Sequence, residues 1–255
     1  MRHLPFAALP ILALAGCATS PLGRSQLSLV SDQEMAQVGT QAFQQMEQKT
    51  PTLKSGQQVR FVTCVANAIT TAIPGNATPW DVKVFDSKEV NAFALPGGHI
   101  GVYTGLLKIA TQQDELAAVI GHEVSHVLAH HSAERYSQSM AANLGSAVLS
   151  AVTGVNSDLI GGAAGVVLLK FSRTQESEAD LLGLDLMSRA GFNPNGAISL
   201  WKKMEAAGGD KPPELLSSHP ADATRIDQLE QRLPQDLPVY QQARASGRRP
   251  QCGTP

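Results

Sequence analysis

Apolar positions change their period along this chain, and those changes outline its elements. Ser31-Asp32-Gln33-Glu34 opens a helical pattern as a capping box, with Ser31 at the cap and Glu34 reaching back; the helix is predicted to run to about Lys49. A second helical stretch covers roughly Gly56 to Ile73, and Pro74-Gly75 and Pro79 interrupt the chain after it. Trp80 to Phe85 alternates with the period of a strand. Asn91 to Leu95 and His99 to Tyr103 read as a hairpin turning on Pro96-Gly97-Gly98. Helical spacing returns over about Thr111–His131, Arg173–Arg189, Pro194–Ala206 and Pro220–Arg232, with Gly191 stopping one helix and Pro194 starting the next. The fold class this predicts is α+β, mostly helical, with a small β-sheet.

The third of these helices carries the chemistry. Leu116, Val119, Ile120, Glu123, Val127 and His130 share its spacing, and Asp114 and Glu115 stand near its start, where the helix dipole favours acids. Within it lies His122-Glu123-Val124-Ser125-His126. Residues four apart share a helix face, so His122 and His126 can aim their imidazoles at one zinc ion while Glu123 stands beside it as a general base. The competing reading is an ordinary amphipathic helix with two partnered histidines.

Two histidines and a water leave a catalytic zinc one protein ligand short. His130 lies about 12 Å along the helix axis from His122, too far to share the ion. The longer pattern with glycine and a third histidine also fails, because Ala129 and Ser132 stand at those positions. Glu176-Ser177-Glu178-Ala179-Asp180 is the best source of the third ligand. Glu176 and Asp180 face one way on a helix, which lets Glu176 bind zinc and Asp180 accept the other N–H of a ligand histidine. Glu178 is the rival ligand; it points about 200° away from Glu176, so only one of them can face the metal. The plain alternative for the segment is a solvated acidic helix start.

Four segments now carry a resemblance: Asn91 to Ile100, His122 to His126, Phe171-Ser172-Arg173 through Asp180, and Ser218-His219-Pro220 with Arg225. They resemble the zinc metallopeptidase family that includes HtpX, the CAAX prenyl proteases and the bacterial envelope proteins BepA and LoiP. The resemblance implies a zincin-like (gluzincin) domain with one Zn²⁺ per subunit, held by His122, His126 and Glu176 rather than Glu178. It implies a catalytic or proton-donating role for Asp180. It makes His219 a candidate fourth ligand or gate, where the residues alone allow His219 and Pro220 merely to open the next helix. It also implies a quality-control endopeptidase acting on unfolded or misassembled envelope proteins, with the outer-membrane assembly machinery as a candidate partner. The hairpin is expected to offer its edge, at Asn91, Ala92, Phe93 and Ala94, to an extended peptide; the alternative is a purely structural hairpin.

The ends bear on location. Arg2 and His3 precede a short apolar stretch from Leu4 to Ala15, and Leu14-Ala15-Gly16-Cys17 resembles a bacterial lipobox. Residues 1–16 are therefore expected to be a lipoprotein signal peptide and Cys17 the lipidated residue, anchoring the chain to the outer membrane and facing the periplasm. Residues 17–30 are expected to be a linker, 31–240 the metallopeptidase domain and 241–255 a polar tail, mobile apart from Cys252. In an oxidising compartment Cys64 and Cys252 are expected to form a disulfide. Met140 to Leu169 is rich in small apolar residues but is broken by Asn143, Asn156, Ser157 and Asp158, and reads as a helical lid or cleft wall rather than a membrane span.

Charge removes one function class. The formal net charge is −2, and no basic patch or aromatic-basic stripe occurs, so nucleic acid is not an expected partner. Two rivals to the peptidase remain: a chaperone or assembly factor for outer-membrane proteins that cuts rarely, and a zinc-binding structural protein with no open site.

Overall fold

A computed structural model describes residues 16–75, 79–153, 170–207, 214–219 and 223–255. The apolar stretch before Gly16, residues 154–169 of the Met140–Leu169 stretch, and Pro220 lie outside the described residues. In chain order the elements are β1 (Cys17–Thr19), β2 (Ser25–Leu27), α1 (Asp32–Lys49), β3 (Thr52–Leu53), α2 (Gln57–Thr71), β4 (Asp81–Phe85), β5 (Ala92–Leu95) and β6 (His99–Tyr103). There follow α3 (Gln113–Leu128), α4 (His131–Thr153), α5 (Arg173–Ala190), α6 (Asn195–Ala207), α7 (Glu214–Ser218) and α8 (Ala223–Ala245). The α+β expectation, mostly helical with a small sheet, holds.

The larger sheet has the order β3-β4-β6-β5. β4 pairs with β6 in parallel, and β5 pairs with β6 as an antiparallel hairpin. Gly97 and Gly98 supply the positive φ angles of 94° and 82° that the hairpin turn requires. This order leaves β5 at an edge of the sheet.

Alternation sorts the strand side chains onto two faces. Phe85, Phe93, Leu95 and Tyr103 pack with Ala42 and Phe43 of α1. Val84, Ala92, Ala94, Ile100 and Val102 join Phe61, Val65 and Ile69 of α2 and Leu116 and Ile120 of α3 in the main core. The sheet is thus a middle layer, and α3 lies directly beneath β5.

The Ser31–Glu34 capping box forms, with Ser31 N–H donating to Glu34 at 2.8 Å. Elsewhere the structure departs from the sequence expectation. α3 stops at Leu128, because His130 adopts a left-handed φ of 54° and its imidazole meets Asp32 at 3.1 Å. That turn redirects the chain, and α4 begins at His131. The stretch expected to be a linker is an antiparallel hairpin, β1 with β2, held to α4 by Leu29 N–H donating to Ser137 Oγ at 2.8 Å. The final helix does not end before Pro234 but continues through Pro234 and Pro238 to Ala245, with Leu229 and Ala243 buried. Packing there outweighs the amide donors the prolines remove.

The polar tail is also anchored. Cys252 is bonded to Cys64 of α2, Cys252 N–H donates to Gln113 Oε1 at 2.8 Å, and Arg248 Nη1 donates to the Arg189 carbonyl at 2.9 Å. Among the described residues, no helix is long and apolar enough to cross a membrane.

Candidate metal centre

α3 and α5 cross where Gly121 and Gly183 face each other. A Cβ on Gly183 would stand 2.8 Å from His122 N and 2.9 Å from Gly121 C. The absent side chains let the two backbones touch, and this sets His122 and His126 of α3 opposite Glu176 and Asp180 of α5. A second capping box, Ser172 with Gln175, starts α5 one turn before Glu176.

The donor atoms converge. His126 Nε2 lies 3.0 Å from His122 Nε2, and Glu176 carboxylate oxygens lie 3.5 Å from each of them. His219 Nδ1 completes the group at 3.2 Å from His122 Nε2 and 2.9 Å from Glu176 Oε1. All four residues are buried, and one atom from each lies within 4.8 Å of every other. Ligand bonds of about 2.1 Å in a tetrahedron place donors about 3.4 Å apart, so this set of three imidazoles and one carboxylate fits zinc. Glu123 adds a second sign of fit: its Oε1 is buried without a hydrogen-bond partner among the described residues, 3.5 Å from His219 Nε2.

The outward nitrogens are as well defined as the inward ones. His122 Nδ1 meets Asp180 Oδ1 at 2.9 Å, which leaves Nε2 as the inward donor. Asp180 in turn accepts from Arg225 Nε at 2.6 Å and Nη2 at 2.8 Å. His126 Nδ1 meets His131 Nδ1 at 2.9 Å, and His131 Nε2 meets Glu178 Oε2 at 3.2 Å. Glu178, the rival ligand, therefore stands behind the cluster, and Glu176 faces into it.

Charge is distributed unevenly across the site. Burial lowers the His122 pKa, but Asp180 and Glu176 outweigh it and hold the imidazole up at about 10. Burial, with His122 and His219 nearby, depresses His126 well below the ordinary histidine range. Burial raises Glu176, yet hydrogen bonds from His122 and His219 overcome it and keep the carboxyl far below the carboxylate range. Burial pushes Glu123 up, against the pull of His219 and His122 and a hydrogen bond from the Ala94 backbone N–H.

A cleft of about 540 Å³ runs from the site along β5; it is lined by Asn91 to Leu95, Glu123, His126, Phe171 and His219. Asn91, Ala92, Phe93 and Ala94 thus border the same cleft as the cluster. Cys17 is exposed on the N-terminal hairpin, and the Cys64–Cys252 disulfide joins α2 to the tail. His130 is outside the site, as the axial distance requires.

Three contributors escaped the sequence reading. Phe171 stacks on the His126 ring with centroids 3.9 Å apart, Arg225 Nη1 reaches Glu176 Oε2 at 3.0 Å, and His131 backs His126. Phe171 and Arg225 were inside resembling segments but without a role. The signal for His131 was its position next to His130, yet only the turn at His130 directs it inward.

A model of peptidase family M48 matches residues 57–233. The mitochondrial metalloendopeptidase OMA1 of Schizosaccharomyces pombe is 40% identical over 163 residues, covering 61% of this chain and 47% of the relative. The Saccharomyces cerevisiae OMA1 is 36% identical, with 66% of this chain and 51% of the relative covered; this chain spans about half the length of these two relatives. The metalloprotease LoiP of Escherichia coli is 30% identical over 227 residues, covering 87% of this chain and 89% of the relative.

Proposed function

The chain belongs to peptidase family M48, and from that premise we propose that it is a zinc-dependent endopeptidase of the bacterial cell envelope. The observation that carries the reading is the convergence of His122, His126, Glu176 and His219 on one point beside the unpartnered Glu123 oxygen. Bound there, zinc would supply Lewis-acid polarisation of the scissile carbonyl and of an attacking water.

The protein's own residues do the rest. Glu123 takes a proton from the attacking water and hands it to the leaving amine. Asp180 holds His122 in the tautomer that turns Nε2 inward, and Arg225 keeps Asp180 in place. β5 receives an extended substrate as an added strand, with main-chain hydrogen bonds positioning the scissile bond. With zinc bound, His219 would be the fourth protein residue able to hold it, and a substrate reaching the site along β5 would have to displace that side chain.

Unfolded or misassembled envelope proteins are the substrates this reading favours, since edge pairing with β5 needs a segment free of its own structure. Cys17, exposed and unpaired, is the proposed site of lipid attachment to the outer membrane, with the site facing the periplasm. The Escherichia coli relative named beta-barrel assembly-enhancing protease, 24% identical over 249 residues, supports the outer-membrane assembly machinery as a partner.

The test is zinc content and cleavage of unfolded casein for wild type and Glu123→Gln side by side. Both proteins are expected to hold one zinc, and only the wild type to cut. Equal cleavage by both would remove Glu123 from the mechanism. No cleavage by a zinc-loaded wild type, with Glu123→Gln still supporting outer-membrane protein assembly, would favour the chaperone reading.

A further inference from the structure

The Cys17–Leu27 hairpin meets the residues behind the metal centre through Arg24 and through Ser20, whose side chain also hydrogen-bonds Glu178. Arg24 Nη1 and Nη2 each donate to a Glu134 oxygen at 2.7 Å, and its Nε donates to Glu178 Oε2 at 3.0 Å. That same Glu178 oxygen meets His131 Nε2 at 3.2 Å, and His131 Nδ1 meets His126 Nδ1 at 2.9 Å. An unbroken line of polar contacts therefore runs from the hairpin to a proposed zinc ligand. We propose that Arg24 is a positioning residue of the metal centre, so that the hairpin is a structural part of the site rather than a tether.

This inference rests on the reading of His122, His126 and Glu176 as ligands. Its physical basis is the arrangement of charges. The Glu134 and Glu178 side chains are 6% and 4% exposed, and Arg24 is the guanidinium bridging them. Without it, two buried carboxylates face each other across the space it filled, and their repulsion draws Glu178 away from His131. His131 cannot follow by sliding along its helix, because the left-handed turn at His130 fixes where α4 begins. Its ring must rotate, and His126 then loses the acceptor that holds its orientation.

The hairpin fixes Arg24 from its own side. Arg24 N–H donates to Ser20 Oγ at 3.0 Å, Ser20 N–H donates to the Arg24 carbonyl at 2.8 Å, and Ser28 N–H closes the base of the hairpin on the Gly16 carbonyl at 2.8 Å. Gln175 supports the far side by donating to Glu134 Oε2 at 2.7 Å. A guanidinium fork serves these three carboxylate oxygens at once; a lysine ammonium at this position would serve them less well, as a single point charge.

The experiment uses the full chain with Arg24→Ala and Arg24→Lys. Zinc affinity is read by competition with a chromophoric chelator, the visible spectrum of the cobalt-substituted protein reports ligand geometry, and thermal unfolding after chelation reports the fold. Outer-shell partners of metal-binding histidines are worth about 10–100-fold in affinity, and Arg24 acts through two intervening residues, so about a tenfold loss is expected for Arg24→Ala. Arg24→Lys is expected to lie between it and wild type, and both variants to shift the cobalt spectrum. A lower melting temperature with wild-type zinc affinity and an unchanged cobalt spectrum overturns the proposal. Should Arg24→Ala fail to fold, wild-type values for Arg24→Lys overturn it equally. A wild type that binds no zinc overturns the ligand assignment and this proposal together, whereas zinc binding that is equal in wild type and variants overturns this proposal alone.

Discussion

Gly121 and Gly183 bring the two ligand-bearing helices into backbone contact: a Cβ on Gly121 would meet the Gly183 carbonyl oxygen at 2.9 Å. Both clashing partners are backbone, so neither can rotate away. Gly183→Ala is therefore expected to destabilise the protein by about 1–3 kcal/mol, more than the 0.5–1 kcal/mol that alanine ordinarily contributes in a helix. Spreading α3 from α5 also moves Glu176 away from His122 and His126. A thermal melt and a zinc competition titration check this, and a variant matching wild type in both would show that the crossing has slack.

Asp180→Asn keeps the shape of the side chain and removes its charge. The His122 Nδ1 contact at 2.9 Å and the paired contacts to buried Arg225 are all weakened. Zinc affinity is expected to fall about 10–100-fold. Stability is expected to fall by up to about 3–5 kcal/mol, the range for breaking a buried ion pair, moderated because Arg225 keeps Glu176 at 3.0 Å. Chelator competition separates the two effects, and unchanged zinc affinity would mean that Asp180 does not orient His122.

His219→Ala removes the donor 2.9 Å from Glu176 Oε1. Cleavage of unfolded casein is expected to rise several-fold and zinc affinity to fall several-fold, because one change opens the site and loosens it. Unchanged rate and affinity would take His219 out of the site.

Glu115 gives a pH dependence remote from the metal. Burial raises its pKa, but Lys203, Ser199 and the Gln112 backbone N–H outweigh burial and hold the carboxyl below its ordinary value. A carboxylate depressed by folding contributes stability that is present above its unfolded pKa and lost as pH falls through the folded one. The stability difference between wild type and Glu115→Gln is thus expected to be constant above about pH 5 and to shrink below about pH 4.5. Chemical denaturation across that range measures it, and a gap that widens in acid would reverse the sign.

Local chemistry made much of this site legible. The His122–His126 spacing, the Ser31–Glu34 box, the glycine turn at Gly97-Gly98 and the helical face shared by Glu176 and Asp180 each depend on residues a few positions apart. The parallel pairing of β4 with β6 left no local mark, since it joins strands through the intervening β5. His131 and Arg24 were hidden for a related reason. His131 is turned inward by a left-handed residue that meets Asp32, and Arg24 has meaning only beside Glu134 and Glu178, 110 and 154 positions away. The extension of α8 past Pro234 was illegible because burial on α5, not helix propensity, sustains it.

The Cys64–Cys252 bond spans 188 positions and encloses every proposed metal ligand. A chain with the proposed activity is exposed to it, and a cut at any one peptide bond between those cysteines leaves two pieces still joined by sulfur. Such a nicked molecule runs as one band on a gel without reductant and as two bands with it. Intactness of this protein is therefore a property to be judged only after reduction, and a preparation that looks whole can be a mixture of whole and severed chains.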